Sequence, residues 1–163
     1  MPTPNPEHLR QVKALVNQCR YLRLLDMNIT DLEANLCRAT MEVQEKHMNP
    51  FMNIHGGVYA SMVDHMTFWA AYATLPEDMG YTTIDVSVHD LRGCNTGLLT
   101  VEARMIRQGG TMCLCVADIT DEAGHLMAHG SSKLFVSPNL QKVQAMIDSI
   151  DPTIVLPPKF LDD

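Results

Sequence analysis

Asp64 and the triplet His55-Gly56-Gly57 are the residues of this chain whose types and spacing could do chemistry. Asp64 is the one carboxylate within residues 56–74, a segment otherwise almost wholly apolar. A helix that is apolar nearly all round is normally buried, and a buried carboxylate without compensation is costly or takes up a proton. Asp64 is therefore either compensated or functional, and its chemistry would be that of a nucleophile or of a general base activating water. The glycines offer the complementary part. The first backbone N–H groups of a helix have no internal partners and lie at the positive end of its dipole, so they can hydrogen-bond a carbonyl oxygen that is gaining charge. Without a Cβ, Gly56 and Gly57 also let an acyl group approach the backbone closely. Two simpler readings stand beside these: the triplet makes only a tight entry turn, and Asp64 is a surface aspartate or the ion-pair partner of His65.

The spacing bears on assembly. Gly56 and Asp64 are eight residues apart, which on one helix is ~12 Å along the axis. A carbonyl held by Gly56 needs its attacking group within ~3.5 Å, so the carboxylate serving it must come from another chain, most simply from an antiparallel helix across a two-fold axis. The expectation is a homodimer with two shared active sites.

The elements that must position these residues follow from periodicity. Leu9, Val12, Leu15, Val16, Cys19 and Leu22 recur at helical spacings, predicting an amphipathic helix to about Leu25 packed on the domain. Residues 32–46 alternate well enough to predict one half-exposed strand. The long helix is expected from about Gly56 to Thr74. The next strand, from Gly80 to Leu91, would have Thr83, Asp85, Ser87 and His89 on one face and Ile84, Val86 and Val88 on the other. Residues 97–107 and the run after the Gly109-Gly110 turn read as a hairpin, and a last strand follows the turn at Asp121 to Gly124. A short helix is expected after Pro138, then a Pro-punctuated tail.

Composition excludes several function classes. The chain has 163 residues with 46% hydrophobic and 19% charged, which suits one folded domain. A net charge of −7 argues against non-specific binding to nucleic acid or anionic lipid. The five cysteines are odd in number and lack a CxxC pair, so reduced thiols in a cytoplasmic protein are expected, without a disulfide framework or zinc knuckle. Seven histidines form no clustered ligand set, so no metal is expected; no Gly-rich nucleotide loop occurs, and no bound cofactor is expected. No stretch approaches the ~20 apolar residues of a membrane span.

The order strand, loop with His-Gly-Gly, long apolar helix and four further strands resembles the α+β hot dog fold, an antiparallel sheet wrapped around a long central helix. More closely it resembles the acyl-CoA thioesterases of the branch that includes 4-hydroxybenzoyl-CoA and phenylacetyl-CoA thioesterases. The resemblance rests on Asn49, His55-Gly56-Gly57, Asp64, Thr83, Gly97 and the glycine turn at 109–110. It covers residues 22–137, leaving a helical extension at 1–21 and a helix and tail at 138–163. It implies hydrolysis of an acyl-CoA to the free acid and CoA, in a homodimer or dimer of dimers. Asp64 would be the catalytic carboxylate, Gly56 and Asn49 the contacts to the thioester carbonyl, Thr83 the residue positioning water, and His55 the residue orienting the loop. Gly57, Met62, His65 and Phe68 would lie along the acyl group, with Arg92 and Arg107 near the CoA phosphates. One departure concerns the turn Leu91-Arg92-Gly93-Cys94, where the family usually has a proline. The rival readings are a hot dog dehydratase or hydratase and a non-catalytic acyl-CoA-binding module.

Overall fold

The computed structural model describes residues 3–161. Its centre is a helix, α3 (Gly56–Tyr72), laid across a six-stranded antiparallel sheet. Along the sheet the strands run β2 (Met27–Glu33), β3 (Leu36–Glu42), β5 (Leu98–Gln108), β6 (Met112–Thr120), β7 (Leu126–Ser137) and β4 (Gly80–Asp90). Around this core lie α1 (Pro6–Val16), α2 (Arg20–Leu25) and α4 (Val143–Ile150), and a short pairing joins β1 (Thr3–Pro4) to β8 (Phe160–Leu161). This is the α+β arrangement expected, an antiparallel sheet wrapped on one long helix.

Helix α3 is buried because of what it carries. Val58, Tyr59, Met62, Val63, Met66, Trp69 and Ala70 are all in the core, so the helix has apolar contacts on most of its circumference. It stops near Ala73, before Pro76, which lacks the N–H a helix interior needs. It packs tightly on β7 at Gly130, where a Cβ would stand 2.7 Å from both Val63 methyls. One turn on, Ser132 Oγ donates to Thr67 Oγ1 at 2.7 Å, and Thr67 donates in turn to the Val63 carbonyl. A buried polar link thus fixes helix to sheet without leaving a hydroxyl unsatisfied.

Three expectations are corrected by the structure. The single strand expected over 32–46 is instead the end of β2, a turn at Asn35 (φ 59°), and β3. The extra strand β2 escapes a period-2 reading because its pairing shifts between Ile29 and Asp31. That bulge moves the buried set from Met27 and Ile29 to Leu32, reversing the alternation. The single N-terminal helix is two helices: Asn17 leaves the helical run to clasp the backbone of Ile29, accepting from its N–H at 2.8 Å and donating to its carbonyl at 3.0 Å. In β4, the pairing shifts between Thr83 and Asp85, so Ile84 turns outward and Thr83 joins Val86 and Val88 on the side facing the core. The predicted faces of this strand are therefore wrong at Thr83 and Ile84.

The two extensions meet. Asn5 donates its backbone N–H to the Lys159 carbonyl and its side-chain amide to the Pro158 carbonyl, each at 2.8 Å. The Pro-rich tail is thereby held along α1, and α4 packs Ile147 inward.

Candidate active site

The entry loop is folded around Asn49. Its Oδ1 accepts from the backbone N–H of Phe51 (2.9 Å) and of Asn53 (3.3 Å), and its own N–H donates to the Asn53 carbonyl. Met52 takes the left-handed conformation (φ 60°) that this tight loop requires. Asn49 Nδ2 makes one long contact, 3.4 Å to the Ile54 carbonyl. His55 caps α3: its Nδ1 accepts the Gly57 N–H at 2.8 Å, which puts a neutral ring's proton on Nε2. Gly57 is thus engaged, whereas the Gly56 N–H has no acceptor among the described residues. Gly56 is also crowded, since a Cβ there would lie 2.4 Å from Oδ2 of Asp90. The exposed Asp90 carboxylate therefore rests against the positive end of α3. No pattern in the sequence singles it out, because it lies beyond the bulge that resets the strand.

Asp64 is half-buried, and its Oδ1 is enclosed with no hydrogen-bond partner among the described residues. The same holds for Nε2 of His65. The two side chains form no ion pair among the described residues, so the pairing allowed for in the sequence is not made. Burial holds the His65 imidazole below its ordinary pKa, outweighing the opposite pull of the Asp64 carboxylate. Asp64 and His65 open on a cavity of about 310 Å³ shared with Phe68, Trp69, Thr82 and Thr83. The β4 bulge is what brings Thr83 there.

The extensions complete this cavity. Cys19 and Leu22 form one wall and Met146 of α4 another. Tyr21 of α2 meets the His65 ring edge-on at 5.8 Å and hydrogen-bonds Ser61 Oγ at 2.6 Å. These walls were missed as site residues. The apolar stripe of Val16, Cys19 and Leu22 was the available signal, yet it reports a packed face and not what lies beneath it.

The remaining expected residues are spread out. Phe68 stacks on Tyr81 with centroids 4.3 Å apart and lines the Asp64 cavity. Met62 has no exposed surface and packs in the core, outside the lining of this cavity. Arg92 is exposed in the loop after β4, and its carbonyl accepts from Tyr59 Oη at 3.0 Å. That loop adjoins the entry loop through the Ile54 N–H to Cys94 carbonyl bond of 2.7 Å. Arg107 lines a different depression, with Asn35 and Thr74, so the chain by itself does not bring it to Asp64. Among the described residues no three His, Cys, Asp or Glu are grouped to hold a metal ion, and no helix is long and apolar enough to cross a membrane. Cys37, Cys113 and Cys115 are buried, and burial pushes the Cys115 thiol up to about 12. Such thiols are inert.

A long helix carried in an antiparallel sheet, with a glycine N–H at its start and a half-buried carboxylate two turns along, is the arrangement of a hot dog fold. Comparison with known proteins agrees. The family model of the thioesterase superfamily matches residues 51–128, which run from the entry loop into β7. Acyl-coenzyme A thioesterase 13 of Homo sapiens is 26% identical over 132 residues, covering 78% of this chain and 94% of that protein. The 1,4-dihydroxy-2-naphthoyl-CoA hydrolase of Listeria monocytogenes is 26% identical over 103 residues, covering 63% of this chain and 84% of that protein. Among solved structures, a thioesterase from Haemophilus influenzae superposes with a TM-score of 0.76 at 23% identity, covering 86% of this chain and 98% of that one. A mutant thioesterase from Pseudomonas aeruginosa gives 0.72 at 22% identity, covering 78% and 92%. The superfamily supports thioester hydrolysis as the class of reaction.

Proposed function

We propose that this chain hydrolyses acyl-CoA thioesters to the free acid and CoA, as the names of the human and Listeria relatives suggest. The Asp64 carboxylate carries the reading: it is half-buried, its enclosed Oδ1 lacks a partner among the described residues, and it shares its cavity with Thr83. Keeping such a group buried is costly unless something else completes it. A water molecule or the thioester carbon would. As general base, Asp64 takes a proton from a water held by Thr83 while the water oxygen bonds to the thioester carbon. The carbonyl oxygen gains charge and is stabilised by the Gly56 N–H, with Asn49 Nδ2 as a second donor. The C–S bond then breaks, and the thiolate of CoA takes up the proton. Direct attack by Asp64 would instead form a mixed anhydride that water hydrolyses.

Two copies of the chain share each site in this proposal. Within one α3, Gly56 and Asp64 are too far apart for one carbonyl. β4 ends the sheet order, so its outer backbone groups have no strand neighbour among the described residues. An exposed strand of eleven residues is a ready template for a second copy. Arg92, beside the entry loop, is the candidate contact for CoA phosphates, with Arg107 as the second. His55, engaged by Gly57, does not serve as the acid–base histidine a dehydratase would require. The acyl group is medium-chain or aromatic, lying along Phe68 and Trp69.

The test is release of free thiol from a panel of acyl-CoAs, from acetyl to palmitoyl and including benzoyl and phenylacetyl. Turnover with at least one is expected. Saturable binding of CoA esters with no thiol released from any would replace the enzyme by a binding module.

A further inference from the structure

We propose that the two extensions build a second binding site, for a small organic carboxylate with an apolar body, in a cavity of about 530 Å³ beyond the C-terminal end of α3. Its central group is Lys159, only 2% exposed. The ammonium donates to the Leu75 carbonyl at 2.6 Å and lies 3.9 Å from the centroid of the Tyr72 ring. No carboxylate among the described residues forms an ion pair with it. Glu77, the nearby acid, instead accepts the backbone N–H of Lys159 at 2.9 Å. An ammonium has three N–H donors, so one remains after the carbonyl and the ring. Burying a cation without a direct ion pair is among the costlier arrangements in a fold, and the burial outweighs the opposite pull of Glu77. Here burial lowers the lysine to about 8.

Tyr81 lines the same cavity, and its hydroxyl is buried without a partner among the described residues. Of the other polar groups in the lining, Glu77 is engaged at one oxygen by the Lys159 N–H, and His8 at both ring nitrogens. His8 Nδ1 lies 2.7 Å from the Pro157 carbonyl, which can only accept, so Nδ1 carries the proton and Nε2 accepts the Tyr72 hydroxyl at 2.6 Å. Among the described lining residues the Lys159 ammonium and the Tyr81 hydroxyl thus keep unspent donor capacity, one cationic and one phenolic, of the kind a carboxylate accepts. Lys142 adds a second positive charge at the rim, and Met79, Val143, Ile147 and Leu156 supply an apolar wall. That wall favours an organic acid over a bare inorganic anion, and the volume suits a small molecule. The site is distinct from the Asp64 cavity: Tyr72 lies eight residues further along α3, ~12 Å away along the axis. His8, Lys142 and Lys159 lie outside the segment matched by the family.

The experiment is calorimetric titration of the full chain with hexanoate and benzoate, with hexanamide, benzamide and inorganic phosphate as controls. The wild type is compared with Lys159→Met, Tyr81→Phe and Asp64→Asn. Saturable binding of the acids but not of the amides is expected. It should be lost in Lys159→Met, weakened about 10- to 100-fold in Tyr81→Phe, and unchanged in Asp64→Asn. Tyr81→Phe keeps the ring stacked on Phe68 and removes only the unpartnered hydroxyl, so it remains informative if Lys159→Met fails to fold. Absence of binding to the wild type, or binding that survives in Tyr81→Phe undiminished, overturns the proposal. So does equal binding of phosphate, which would deny the apolar body, or loss of binding in Asp64→Asn, which would place the acid in the thioesterase site. The outcome does not depend on thioester turnover.

Discussion

Gly56 and Asp64 lie on one helix eight residues apart, about 12 Å from each other along the axis, and among the described residues neither the Gly56 N–H nor the enclosed Oδ1 of Asp64 has a hydrogen-bond partner. A reacting carbonyl touches its oxyanion donor and its attacking group together, so one α3 cannot supply both to one substrate. Mixed dimers test this. A Gly56→Val chain and an Asp64→Asn chain should each be inactive alone. After unfolding and refolding together in equal amounts, half the dimers are mixed and one of their two sites carries neither change. Activity should return to about a quarter of wild type. No recovery would place both groups' work within a single chain.

Asp64→Asn alone keeps the shape and removes the basic oxygen. With Asp64 as base or nucleophile, kcat should fall about 100- to 10,000-fold, with the dimer and KM little changed. Near-normal kcat in steady-state thiol release would remove Asp64 from its role. Thr83→Val, which keeps the β-branched shape without the hydroxyl, should lower kcat less, since it orients water and does not take the proton.

How far the sequence could be read depended on where the chain keeps its period. α3 holds its period throughout, β5, β6 and β7 hold theirs over 99–105, 113–119 and 128–136, with register shifts only near their ends, and the helix with its lone Asp64 was plain. Two bulges hid the rest. At Thr30 the alternation of Met27 and Ile29 reverses before Leu32, which concealed β2. At Ile84 the same reversal assigned Thr83 to the wrong face, although Tyr81 and Val86, both packed inward yet five residues apart, record the shift. The walls given by Cys19, Leu22 and Met146, and the Lys159 cavity, arise where segments distant in the chain meet. Such contacts leave no local pattern.

Gly130 sets how closely α3 approaches the sheet. An alanine Cβ would stand 2.7 Å from both Val63 methyls and 2.9 Å from the Ser87 carbonyl. Neither neighbour is a flexible chain end, so Gly130→Ala should lose about 1–3 kcal/mol in urea unfolding. Because Val63 adjoins Asp64, activity should fall as well. Adding Val63→Ala should recover part of the stability, a coupling the double-mutant cycle measures; full additivity would deny the clash.

Lys159 ties stability to pH. Unfolded, it holds its proton to the ordinary lysine value of 10.5; folded, burial lowers that to about 8. Between these values the unfolded chain binds more protons, so stability rises with pH across this window. Below pH 8 the cost of burying the ammonium is present in full, on the order of 3 kcal/mol. Lys159→Met removes this titration while keeping a long unbranched side chain. Its stability relative to wild type, measured in urea, should therefore decline as pH rises from 8 to 10.5. The Tyr72, Tyr81, His8, Glu77 and Lys142 groups around the cavity are common to both proteins and cancel to first order. Saturating hexanoate should flatten the wild-type slope, because a bound carboxylate keeps the ammonium protonated to higher pH. A pH-independent difference between the two proteins would show that the buried lysine stays charged without cost.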